Sequence, residues 1–184
     1  MNLELILQAI LLTADKPLSL EQLESYFLPE ERVSRSAIRA ALHTLQAACA
    51  TQSFELQETA SGFRLQTCAA FQTWVQRHSE EKPAKYSRAF LETLALIAWR
   101  QPITRAEIEA VRGVAVNANV IKTLLEREWV KVLGHKDVPG RPEMLGTTRQ
   151  FLDYFNLKSL DELPSLLAMK GLDIDQLPLA LDSK

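Results

Sequence analysis

Three histidines, two cysteines and a few acidic pairs are the residues of this 184-residue chain with reactive chemistry to offer. His43, His78 and His135 stand in different segments, with no Glu-x-x-His or Cys-x-x-Cys beside them, so no zinc site is expected. Cys49 and Cys68 could form a redox pair, but the reading adopted is two mostly buried thiols in a reducing compartment. Glu80-Glu81 and Asp161-Glu162 fit a linker and a helix start better than acid–base machinery. Neither a phosphate-cradling G-x-x-x-x-G-K-[ST] nor a G-x-G-x-x-G occurs. The expectation is a protein that is not an enzyme and has no metal and no cofactor.

Cations pose the second chemical question, which is nucleic acid. Arg35, Arg39, His43 and Gln46 share the polar side of one helical segment and could meet phosphates or bases. The bland alternative, the solvated face of an amphipathic helix, is preferred. Lys131, His135, Lys136 and Arg141 crowd a later loop against Asp137, a patch too small for a DNA-binding surface. Overall the chain carries 21 basic and 23 acidic residues, a net charge of −2, so no global field favours a polyanion. Residues 1–78, 79–158 and 159–184 carry net charges of −2, +3 and −3, a difference that permits weak nonspecific DNA contact without requiring it. An apolar fraction of 47% with 24% charged residues fits an ordinary soluble chain, and two cysteines cannot make a disulfide scaffold. Glu4 lies in the apolar start with no basic residue before it, which argues against a secretory leader. The longest apolar run, Leu94 to Trp99, is far short of the ~20 residues of a membrane span.

The elements that position these residues come in two similar sets. Leu3, Ile6, Leu7, Ile10 and Leu11 mark one face of a first helix. Pro17 precedes Leu18-Ser19-Leu20-Glu21-Gln22-Leu23, where Ser19 and Gln22 form a capping box and Leu18 and Leu23 a hydrophobic staple. A third helix starts at Ser34 with Ile38, Leu42, Leu45 and Cys49 inward. Phe54–Gln57 and Phe63–Gln66 alternate as a β-hairpin, and a short helix around Phe71, Trp74 and Val75 follows. Residues 79–86 read as a linker. The order then repeats: a helix capped by Ser87, the start signal Pro102-Ile103-Thr104 with Glu107, a stop at Gly113, and a helix from Asn117 with Val120, Ile121, Leu124 and Leu125 inward. Val130–Leu133 and Glu143–Leu145 form the second hairpin, and a helix with Phe151, Leu152 and Phe155 closes the unit. Trp99 and Trp129 are expected in the core. Three helices and a hairpin make a winged helix. The expected fold is therefore mainly α with small β-hairpins (α+β), as two tandem winged-helix domains at 1–78 and 87–158. An exit helix and flexible tail are expected over 159–184.

The second set carries a longer ordered string. Tyr86-Ser87-Arg88-Ala89, Arg100-Gln101-Pro102-Ile103-Thr104-Arg105, Arg112-Gly113-Val114, Val138-Pro139-Gly140-Arg141-Pro142, Gly146-Thr147-Thr148 and Phe151-Leu152-Asp153-Tyr154-Phe155 together resemble the segregation and condensation protein B family of bacteria. The resemblance implies a non-enzymatic subunit of the bacterial condensin complex, acting in chromosome condensation and segregation during the cell cycle, in the cytoplasm at the nucleoid. It implies a homodimer formed through the N-terminal module and bound to the kleisin subunit (segregation and condensation protein A), which links it to the ATPase of the structural-maintenance-of-chromosomes class. The kleisin contacts expected in the second module are Arg100, Gln101, Pro102, Arg112, Val114, Val116, Asn119, Pro139, Gly140, Arg141 and Pro142, whether the partner lies as an apolar helix or an extended strand. For dimerisation Leu3, Ile6, Leu7 and Ile10 are expected, with the hairpin edge from Phe54 to Phe63 as the competing surface. The alternative function is a winged-helix transcription regulator.

Overall fold

Asn2 starts the first helix of the computed structural model, its Oδ1 accepting from the Leu5 amide. The structure describes residues 2–79 and 86–164, which fall into two units, one on each side of the gap. In unit 1, α1 (Leu3–Thr13) is followed by α2 (Leu20–Ser25) and α3 (Arg35–Ala48). Ser19 and Gln22 form the expected capping box, and Ser34 caps α3. Strands β1 (Phe54–Glu58) and β2 (Phe63–Thr67) pair antiparallel with Leu56 opposite Leu65. A 3-10 turn, Ala69–Phe71, leads into α4 (Gln72–Ser79). Ile38, Leu42, Leu45 and Cys49 are buried with Leu7, Leu11, Leu23 and Leu56, so the core of unit 1 is the inner side of α1 and α3 closed by the hairpin. The short helix expected around Phe71, Trp74 and Val75 is present, with Trp74 62% exposed on it.

One connection in unit 1 has no local signal. Leu18 and Phe63 exchange two backbone hydrogen bonds of 2.9 Å, tying the entry of α2 to the start of β2. Gly62 permits this approach: at φ +147°, a Cβ there would stand 2.2 Å from the Leu18 carbonyl oxygen.

Unit 2 runs α5 (Arg88–Arg100), β3 (Ile103–Thr104), α6 (Arg105–Arg112), α7 (Ala118–Glu126), β4 (Val130–His135), β5 (Glu143–Thr147) and α8 (Arg149–Tyr154). Ser87, Thr104, Asn117 and Thr148 cap its four helices, and Gly113 ends α6 in the left-handed region. The sheet order is β3-β5-β4: Ile103 pairs Leu145 on one edge of β5 and Val132 pairs Leu145 on the other. Ile103 of β3 thus occupies the place that Leu18 holds in unit 1, each just before the capping serine or threonine. Leu94, Ile97, Ile108, Leu124 and Leu145 form the core with Trp129, which is 2% exposed. Tyr154, Phe155, Tyr86 and Phe90 surround the Trp129 ring at centroid distances of 4.3, 5.4, 5.5 and 6.2 Å, and the Arg127 guanidinium lies 5.0 Å from the Tyr86 ring. Tyr86, read from sequence as the last linker residue, is therefore part of this aromatic cluster, because its ring finds Phe90 and Trp129. Residues 80–85 of the expected linker and 165–184 of the expected tail lie outside the described residues; the described end carries a 3-10 turn, Leu160–Glu162.

The fold is α+β, with three helices followed by a hairpin in each unit. Among the described residues no helix is long and apolar enough to cross a membrane, and no three His, Cys, Asp or Glu gather as metal ligands.

Candidate partner-binding surfaces

Helix α7 shows its character through two adjacent faces. Leu124 is fully buried, while Val120, Ile121 and Leu125, all expected inward, are only half-buried. All three pack against the core, and Ile121 and Leu125 also line, with Ala118, a groove of about 470 Å³ between α7 and the hairpin. Pro142, Glu143 and Leu145 form its other wall, and Arg105, Lys122 and Glu126 contribute charged groups. The helix that follows a winged-helix turn is the one a DNA reader inserts into the major groove. Here its groove side is apolar.

The hairpin tip is held in place by bonds of its own. The Lys136 amide donates to the Pro142 carbonyl, Val138 to Lys136 and Arg141 to Val138, each at 2.9 Å. Gly140 takes φ +85° and Arg141 +38° in the turn. Lys136 Nζ reaches back to Glu107, whose carboxylate also accepts from the Thr104 amide and hydroxyl at 2.8 and 2.9 Å. The Lys136 bond first, and the two Thr104 bonds after it, hold the Glu107 carboxyl down at about 2.

The expected kleisin contacts separate into three kinds. Arg100, Pro102, Val114, Asn119, Pro139, Gly140 and Arg141 are exposed, and Pro142, half-buried, is the one that joins the groove. Gln101 is a clasp inside the unit: its Oε1 accepts from the Thr147 amide at 2.7 Å, and its Nε2 donates to Thr147 Oγ1 at 2.9 Å and to the Ala98 carbonyl at 3.2 Å. Val116 is 1% exposed, with its amide on Glu109 and its carbonyl on Arg105, so it belongs to the core and cannot touch a partner. Arg112 keeps 10% of its side chain exposed and pairs with Glu92 at 3.1 Å. Glu92 accepts from Arg88 as well, and these cations, Arg88 foremost, draw its carboxyl below the usual range despite partial burial. The Glu109 carboxyl is lowered too, first by the Val116 amide and then by Arg105.

On α1 the expected dimer residues also divide. Leu7 is 0% exposed and lies at the centre of the unit 1 core, and Leu3 and Ile10 pack half-buried against that core. Burial removes Leu7 from any interface. The outward side carries Leu5 at 61% and Leu12 at 59% exposure, two turns apart, which the sequence reading did not single out. Their signal was present as apolar residues off the inward stripe.

Some of the cations that bear on DNA binding are engaged within the chain. Arg35 pairs with Glu24 at 2.8 Å, Lys122 with Glu126 at 3.6 Å, and Lys136 with Glu107. Arg39 and His43 stay exposed on α3, and Lys131, His135 and Arg141 stay exposed on the second hairpin, small groups where a duplex-binding face uses many.

A family model described as "Segregation and condensation complex subunit ScpB" matches residues 5–166. A protein of Coxiella burnetii named "Segregation and condensation protein B homolog" is 52% identical over 165 residues, covering 90% of this chain and 79% of that one. The crystal structure of ScpB from Mycobacterium tuberculosis is 32% identical, covers 83% of this chain and 94% of that chain, and superposes with a TM-score of 0.37. A crystal structure titled as a dimer of ScpB N-terminal domain complexed with ScpA peptide is 24% identical, covers 41% of this chain and 91% of that chain, and has a TM-score of 0.36.

Proposed function

Since the chain belongs to the ScpB family of segregation and condensation complex subunits, we propose that it is a non-catalytic scaffold that dimerises through unit 1 and holds the kleisin through unit 2. Through the kleisin it joins the chromosome-structuring ATPase, in the cytoplasm at the nucleoid. The observation that carries the reading beyond family membership is the apolar groove side of α7, lined by Ala118, Ile121 and Leu125. A polyanion needs cations there, whereas a protein partner needs buried apolar area. The engaged state of Arg35, Lys122 and Lys136 supports the same choice over a transcription regulator. For the dimer, the supporting feature is the outward pair Leu5 and Leu12, with Leu3, Ile6 and Ile10 half-buried behind them.

Size-exclusion chromatography with light scattering tests both halves. The chain alone should run at twice its 20.7 kDa mass and should co-elute with its cognate kleisin. A monomer would overturn the dimer, and a chain that ignores the kleisin would overturn the scaffold. Tight, sequence-selective binding to a short duplex at physiological salt would establish the regulator instead, whereas weak binding that disappears steeply with salt would mark nonspecific contact only.

A further inference from the structure

Both cysteines of the chain are free thiols in unit 1, and the function proposed above uses neither. Cys49 ends α3 and opens a 3-10 turn, Cys49–Thr51, whereas Cys68 directly follows β2. The hairpin brings the two to one place. The Cys68 amide donates to the Ser53 carbonyl at 3.0 Å, one position past the pairing of Phe54 with Thr67, and the Cys68 thiol donates to the Gln52 carbonyl at 3.7 Å. The Gln52 amide in turn donates to the Cys49 carbonyl at 2.9 Å. Gln52 is therefore bonded to both cysteines, through its amide to one and its carbonyl to the other. Access separates the two thiols: Cys49 is 4% exposed in the core of unit 1, and Cys68 is half-buried. Burial first, and the Cys68 sulfur second, push the Cys49 thiol up, so the two sulfurs act on one another and Cys49 is held uncharged.

We propose that Cys49 and Cys68 are a redox modification site, which hydrogen peroxide converts reversibly into a disulfide tying the end of α3 to the exit of β2. Cys68 reacts first, because its sulfur is the more accessible. It attacks one peroxide oxygen, the O–O bond breaks, and the thiol proton leaves with the departing hydroxide as water, giving a Cys68 sulfenic acid. The Cys49 sulfur then attacks the Cys68 sulfur and the S–O bond breaks. The second hydroxide takes the Cys49 proton and leaves as water. Two thiols thus lose two electrons and two protons, and the peroxide is reduced to two waters. A dithiol reductant restores both thiols by exchange. The bond closes a loop that contains the whole first hairpin, so the stability of unit 1 follows the oxidant level around it.

The test treats the full chain with hydrogen peroxide, alkylates the remaining thiols after unfolding, and maps the cysteine peptides by mass spectrometry. The Cys49 and Cys68 peptides should appear joined within one chain, at their summed mass less two hydrogen atoms, and dithiothreitol should return both to the alkylated form. Followed by circular dichroism, unit 1 of the bonded chain should melt about 10 °C or more above the reduced chain, a gain absent from peroxide-treated Cys68→Ser. Cys49→Ala, which keeps the more accessible thiol, should instead accumulate a Cys68 sulfenic acid that dimedone captures. Three results would each overturn the site: both cysteines still alkylated after peroxide, sulfinic or sulfonic acid on Cys68 with no joined peptide, or joined peptides only between two chains. A bonded chain that melts with the reduced one would overturn the coupling to stability.

Discussion

Thr104 performs three tasks within one residue. Its hydroxyl accepts from the Glu107 amide at the start of α6, its amide and hydroxyl donate to the Glu107 carboxylate, and its backbone belongs to β3. Removing the hydroxyl by Thr104→Ala should cost ~1 kcal/mol of stability, read as a lower urea midpoint, with Thr104→Ser close to wild type. The Glu107 carboxyl gives the second residue-scale prediction. Its folded value of about 2 lies below the ordinary 4.5, so its contribution to stability is complete above the unfolded value and is lost as pH falls from about 4.5 toward 2. Denaturation midpoints measured across that window should fall more steeply for wild type than for Glu107→Gln. Parallel curves would show that the carboxylate is not differentially held in the folded state.

At the scale of elements, the joint between α2 and the first hairpin depends on one missing side chain. Gly62→Ala would place a methyl group 2.2 Å from the Leu18 carbonyl oxygen at a backbone angle other residues rarely adopt. Strain of this kind costs about 1–3 kcal/mol, and the clash adds to it; Gly140→Ala, with open space around it, should lose less in the same denaturation series. The caps at Ser19, Ser34, Ser87, Thr104 and Asn117 were legible in sequence because each is a bond between residues three or fewer positions apart. The Leu18–Phe63 bridge and the pairing of β3 with β5 were not legible, since they join residues 40 or more positions apart with no local pattern to announce them. Periodicity likewise identified one apolar side of α7 without saying what covers it. Leu124 lies within the core, whereas Ile121 and Leu125 pack against it and also line a groove whose far wall, at Pro142 and Leu145, comes from a distant hairpin. The same limit hid Val116: it stands in the turn between α6 and α7, where sequence gives no sign that Arg105 and Glu109 tie its backbone down.

For the whole molecule, the dimer prediction separates folding from assembly on a single helix. Leu5→Glu with Leu12→Glu should leave a folded chain that scatters light as a monomer, because both side chains already face water. Leu7→Glu should unfold unit 1, since a carboxylate would enter a fully buried site. A double variant that remains dimeric would shift the interface to the hairpin edge from Phe54 to Phe63.

The chain's three tryptophans are distributed so that light can tell its two halves apart. Trp74 stands in water on unit 1, while Trp129 lies inside the aromatic cluster of unit 2 and Trp99 donates its Nε1 to the Pro164 carbonyl in the same unit. Melting of unit 2 should therefore move the indole emission toward longer wavelength, whereas melting of unit 1 should barely change its colour. The reverse shift, toward shorter wavelength with both units folded, would report a partner settling over Trp74, so one fluorescence spectrum can follow both unfolding and assembly.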